Sequence, residues 1–236
     1  MKSILSILLP FVLWGCMMVE QQDSLQHHSD PIEKAESRIT LGLGYLENGN
    51  MPKARENLEK ALEHAPKYYR AMLAIAHYYD VVGEKDKALE AYDDALSEHD
   101  DNGQVLNNYG AFLCKIGDYR QADYYFNQAV KQPNYYLVAE SYENAGLCAT
   151  KYGNLSKAKK YFSRAIDHDP QRFRSILQLS KLEIDSGEFS QARVRLLQFH
   201  QNHGYQKASL HLLANLERRA GNKRLEQKYL SLLKQL

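Results

Sequence analysis

The chain has 236 residues, 44% hydrophobic and 25% charged, which is enough apolar material for one folded body or a short solenoid. Its formal net charge of +1 lacks the basic excess of a phosphate-binding surface, so nucleic acid is not an expected partner. The sequence contains no Gly-rich phosphate loop, HExxH, CxxC or GxSxG, so those routes to catalysis are closed and the chain reads as a non-enzyme.

The N-terminus differs in character from the rest of the chain. Lys2 supplies a positive start, and Ile4 to Leu13 form an apolar run interrupted only by Ser6 and Pro10. The run is too short to span a bilayer and reads as the core of a signal peptide over residues 1–15. It ends in Leu13-Trp14-Gly15-Cys16, which resembles the lipobox of bacterial lipoproteins. That resemblance implies cleavage before Cys16 and a covalent diacylglycerol on its thiol; the alternative is an ordinary secretory signal with an incidental cysteine. Buried acyl chains hold a protein in a membrane at ~0.8 kcal/mol per methylene. Residue 17 is Met and not Asp, which by resemblance to lipoprotein sorting signals implies the periplasmic face of the outer membrane. Residues 16–34 are expected to be a lipidated N-terminus and a polar, flexible tether. The His27-His28 pair inside it reads as solvated linker, not as a metal site.

Six glycines then recur: Gly49, Gly83, Gly117, Gly153, Gly187 and Gly221, separated by 34, 34, 36, 34 and 34 residues. A stack of equal two-helix units produces such a beat, and a single globular core does not. Counted from Ala35, the first unit has Leu41, Gly42, Tyr45, Ala54, Leu58, Ala61 and Pro66 at positions 7, 8, 11, 20, 24, 27 and 32. This resembles the tetratricopeptide pattern, in which small residues at 8, 20 and 27 accept bulk at 11 and 24. Later units keep the slots: position 8 is always small, and position 20 is Ala until Glu226. The glycine at position 15 stops the first helix, and the polar residue after it is placed to start the second. The expected fold is all-α, a right-handed α-solenoid of six hairpins. Their ranges are 35–68, 69–102, 103–138, 139–172, 173–206 and 207–236. The single longer interval falls around Gln132 to Val138 and is expected to lengthen one turn. Glu226 reads as a polar cap, because the last unit has no successor.

First helices of such repeats line a concave groove, at positions 2, 5, 9, 12 and 13. The candidate partner-binding residues are therefore Ile39, Leu43 and Leu46, then Arg70, Leu73 and His77, then Gln104, Asn107 and Ala111. The first unit is the most apolar and is placed to receive an amphipathic helix or extended segment of a partner, or to contact the chain's own N-terminal stretch. The 17 tyrosines, many in pairs, are expected mainly to pack between helices. His200 and His203 make an HxxH without further ligand candidates, so no metal is expected.

Cys114 and Cys148 lie 34 residues apart, on the first helices of neighbouring units. They hold positions 12 and 10, two steps or about 200° around a helix, so one can face forward and the other back. They form a disulfide in an oxidising compartment or remain two buried thiols.

Asn107-Asn108-Tyr109-Gly110-Ala111-Phe112-Leu113-Cys114 and Tyr142-Glu143-Asn144-Ala145-Gly146-Leu147-Cys148-Ala149 resemble the signature segments of the type IV pilus biogenesis/stability lipoproteins, the PilF/PilW family. Six repeats behind a lipobox are similar to that family as well. The resemblance implies a monomeric secretin pilotin, anchored in the outer membrane by lipid on Cys16. Its partners would be the secretin of the type IV pilus and the lipoprotein-sorting machinery. A tetratricopeptide lipoprotein that assembles outer-membrane barrels or cell-wall enzymes is the alternative.

Overall fold

The computed structural model describes residues 30–236. The expected signal peptide, Cys16, His27, His28 and most of the expected tether lie outside the described residues. Among the described residues there are twelve helices and no strand. They pair as six hairpins: α1 (Pro31–Glu47) with α2 (Met51–His64), α3 (Tyr69–Val82) with α4 (Lys85–Glu98), and α5 (Gly103–Ile116) with α6 (Tyr119–Ala129). The second half repeats this with α7 (Val138–Lys151) and α8 (Leu155–His168), α9 (Phe173–Asp185) and α10 (Phe189–His203), and α11 (Lys207–Arg219) and α12 (Lys223–Leu233).

The first helix begins earlier than the composition suggested. Asp30 caps it by accepting the Ile32 N–H at 2.9 Å, and Pro31 occupies the first helical turn. Residues 31–34, expected to be tether, are therefore helical, because an Asp-Pro start is pre-organised for a helix whose Ala35 is fully buried.

The periodic glycines all take positive φ, from 73° at Gly49 to 98° at Gly117. Gly117 shows why: its N–H and that of Asp118 turn back to the carbonyls of Cys114 and Leu113, a geometry that needs the left-handed conformation. Asp118 then accepts the Gln121 N–H and starts α6. Asn50 and Asn154 cap in the same way. Glu84, Glu188 and Asn222 do not, because other side chains claim them. Glu84 pairs with Lys87, Glu188 with Lys159, and Asn222 donates to Glu217 at 2.6 Å.

The core is built from the repeated slots. Ala54, Ala88, Ala122, Ala158 and Ala192 are fully buried, and Leu58, Tyr92, Phe126, Phe162 and Leu196 pack beside them. In the last unit this slot departs from the pattern. Leu230 is 37% exposed, and Tyr229 is buried in its place. Glu226 is held by Arg218 at 2.8 Å.

The last unit also rests on a buried carboxylate. Glu217 is fully buried and accepts from Arg193 Nε at 2.6 Å, Arg193 Nη2 at 2.9 Å and Asn222 Nδ2. Burial pushes its carboxyl up, but the Arg193 and Asn222 hydrogen bonds outweigh this and hold it below the usual glutamate value. A lowered folded pKa gives stability that is present above the unfolded value, about 4.3, and is lost as pH falls through the folded one. Acidification is therefore expected to loosen α11 and α12 first. Hydrogen exchange at about pH 3 and about pH 7 checks this. Glu217→Gln should flatten the difference between the two, and an unchanged pH dependence in that variant would refute the assignment.

Candidate functional site: the groove of the first helices

The backbones of successive first helices approach one another, α1 to α3 and onward to α11, whereas those of successive second helices stay further apart; α6 and α8 meet through long side chains, Tyr161 and Lys157 donating to Asp123 at 2.7 and 2.6 Å. An inner layer in contact and an outer layer splayed apart make a curved stack. The first helices therefore line its concave side.

Not every expected groove residue faces this side. Arg70, His77 and Ala111 are exposed, and Leu43, Leu73 and Gln104 are half-buried. Ile39 and Leu46 are 2% and 7% exposed and belong to the core between α1, α2 and α3. They are corrected from groove contacts to packing residues. In the first unit positions 5 and 12 point into the α1–α3 seam, so Leu43 alone of its three candidates borders the groove.

Asn107 is likewise corrected. It is 3% exposed, and its Oδ1 accepts from Ser141 Oγ at 2.9 Å and Asn144 Nδ2 at 3.2 Å across the seam between units three and four. Ser141 also bonds the Tyr135 hydroxyl at 2.7 Å. The Tyr135 ring lies on Gly103, where an added Cβ would meet it at 2.3 Å, so only glycine fits there. Burial pushes the Tyr135 hydroxyl up to about 12, which keeps it a neutral hydrogen-bonding group. Sequence reasoning missed Gly103, Tyr135 and Ser141. Their one signal was the longer interval, which shortens α6 and lets residues 130–137 fold back over the start of α5.

The other end of the same seam carries the cysteines. Cys114 and Cys148 are joined in a disulfide with S–S 2.14 Å and Cα–Cα 5.8 Å. Two further signature residues also link elements. Tyr109 donates to Asp93 at 2.5 Å, and buried Glu143 accepts from Ser175 at 2.7 Å. A cleft of about 440 Å³ opens on the turn edge behind this seam, floored by Phe126 and Cys148 and walled by Tyr119 and Tyr152.

Charge is matched from unit to unit along the groove. Glu36 pairs with Arg70 at 2.9 Å, Asp80 with Lys115 at 2.8 Å, and Asp185 with Arg219 at 3.0 Å. Tyr68 also donates to Glu36, and burial together with that carboxylate pushes its hydroxyl up to about 12. Lys151 donates to the carbonyls of Cys114 and Lys115 at 3.3 and 3.2 Å. Tyr135 is 8% exposed and its neighbour Tyr136 78%.

The histidines of the HxxH are used in packing. His200 Nε2 bonds Ser209 Oγ at 2.7 Å, and His203 lies against Phe173 and Phe199. Among the described residues no three His, Cys, Asp or Glu side chains cluster as a metal site, and no helix is long and apolar enough to cross a membrane.

Stacked hairpins with small residues at the helix crossings and one open groove define a tetratricopeptide-repeat protein. Tetratricopeptide-repeat family models match residues 45–105 and 139–172. Type IV pilus assembly protein PilF of Pseudomonas aeruginosa is 31% identical over 209 residues, covering 89% of this chain and 83% of that protein. A solved structure of Pseudomonas aeruginosa PilF superposes with a TM-score of 0.73 at 30% identity, covering 87% of this chain and 92% of that one. The crystal structure of PilW, a widely conserved type IV pilus biogenesis factor, gives 0.72 at 26% identity, covering 85% and 92%. The chain belongs to the PilF family of type IV pilus assembly proteins.

Proposed function

We propose that this protein is an outer-membrane lipoprotein pilotin, a scaffold that binds secretin subunits and carries them to the outer membrane for multimer assembly. The observation that carries the reading is the match to PilF along 89% of the chain. The open groove supports it, since an inner row of exposed and half-buried side chains on six rigid hairpins suits a segment of another protein. In this reading the acyl chains on Cys16 supply the address, and the lipoprotein-sorting machinery reads it. The body supplies recognition and no chemistry.

The two roles separate by substitution. Cys16→Ala is expected to leave the helical content of the body unchanged and to remove secretin multimers from the outer-membrane fraction. Fractionation of cells carrying the variant checks this. Unchanged outer-membrane secretin multimers would overturn the lipid address.

A further inference from the structure

The groove is not uniform along its length. Its first units border it with Leu43 and Leu73, and its fourth with Leu147, all half-buried. Most of their acidic neighbours are already neutralised, Glu36 by Arg70 and Asp80 by Lys115, while Glu140 faces Arg172 at 3.7 Å; Glu47, at the turn end of α1, is exposed. Glu143 is buried and hydrogen-bonded to Ser175.

The fifth unit breaks this balance. Arg174 and Lys181 are both exposed on α9, seven residues apart and so on one face of the helix. Neither has an acidic partner among the described residues, and Asp185 is taken by Arg219 of α11. His211 is exposed on α11, which packs against α9. Chain-wide charge does not explain the surplus, since the whole chain carries only +1. The excess is local and lies on the inner face of the stack.

We propose that the fifth unit is a recognition site for acidic side chains of the protein segment that occupies the groove. The segment would lay apolar residues over units one to four and Asp or Glu residues over Arg174 and Lys181. This rests on the groove reading above and specifies the chemistry of its occupant. A protein segment is favoured over an anionic membrane because the cations sit on the concave side, which a flat bilayer surface does not enter. Leu43, Leu73 and Leu147 also lie on first helices of the same stack, as one chain lying in the groove would require.

The test uses the full-length lipoprotein in neutral phosphatidylcholine vesicles and three labelled synthetic peptides. Packed helices lie 8–10 Å apart and an extended chain covers about 3.4 Å per residue, so peptides of about 12–16 residues span the units concerned. All three share an apolar half and end in Glu, Gln or Lys residues. Fluorescence anisotropy is expected to show the Glu peptide binding about tenfold tighter than the Gln peptide, the effect of two or three exposed ion pairs. The preference should shrink with added salt. Arg174→Glu with Lys181→Glu should transfer the preference to the Lys peptide. Arg174→Gln with Lys181→Gln should abolish the preference while leaving Gln-peptide binding intact, which guards against a misfolded charge-reversed protein. Equal binding of the Glu and Gln peptides would overturn the site. So would displacement of the Glu peptide by phosphatidylglycerol vesicles from the unaltered protein but not from the double variants, which would make the strip a membrane contact. The peptide readout is independent of whether a secretin co-isolates, so failure here and failure of the pilotin reading are told apart.

Discussion

Phe162→Ala is expected to destabilise the protein by about 3–5 kcal/mol, among the largest effects of any single truncation. The ring is fully buried and lies in the central core with Ala145, Ala149 and Ala158. It also rests on the backbone of Gly146, where an added Cβ would meet the ring at 2.7 Å. Gly146→Ala alone is therefore an overpacking change, expected to cost about 1–3 kcal/mol. The two substitutions should be coupled, because the new methyl fills part of the space that the ring vacates. Urea unfolding of both single variants and the double variant checks this. A Phe162→Ala effect below about 1 kcal/mol, or strict additivity in the double, would sink the account. A solenoid is held by nearest-neighbour interfaces, so damage at its centre should also split the unfolding transition into two steps.

Cutting the Cys114–Cys148 bond is expected to remove about 3–4 kcal/mol, the loop-closure value for a sequence separation of 34 residues. For a body of about this size the melting temperature should fall by about 10 °C. Scanning calorimetry of the oxidised protein and of Cys114→Ser with Cys148→Ser measures it. Identical melting temperatures would show that the bond leaves stability untouched. The bond lies near the turn ends of α5 and α7, so the substituted protein also reports how firmly the two middle units must be held for a partner to bind.

The architecture was legible because each repeat position faces one physical demand. Gly42 and Gly146 must be small where Leu58 and Phe162 cross them, and Gly117 must reach positive φ to end α5. Such demands leave a mark at a fixed spacing. The groove was legible only in part, for a reason visible at Asn107. Its position number places it on the inner face, but whether it points into the groove or into the seam depends on Ser141, Asn144 and Tyr135. None of these belongs to its own first helix. Ile39 and Leu46 mislead in the same way, since their burial is set by the neighbouring α3. The unmatched cations of α9 are a property of pairing between units, which a position-by-position reading does not see. Leu230 shows the converse: its slot is apolar by register, yet it is exposed while Tyr229 beside it is buried.

The seam between units three and four is fastened twice. Asn107 and Cys114 are seven residues apart on α5, about 10 Å along its axis, and each is tied to α7 by its own link. One pin leaves a joint free to swivel, and two pins at different heights do not. The middle pair of hairpins therefore acts as a hub with fixed torsion, and the units on either side are arms that flex from it. The breadth of the groove is then set by the outer seams, which among the described residues are held by packing, ion pairs and hydrogen bonds such as that of Ser175 to Glu143, with no covalent link.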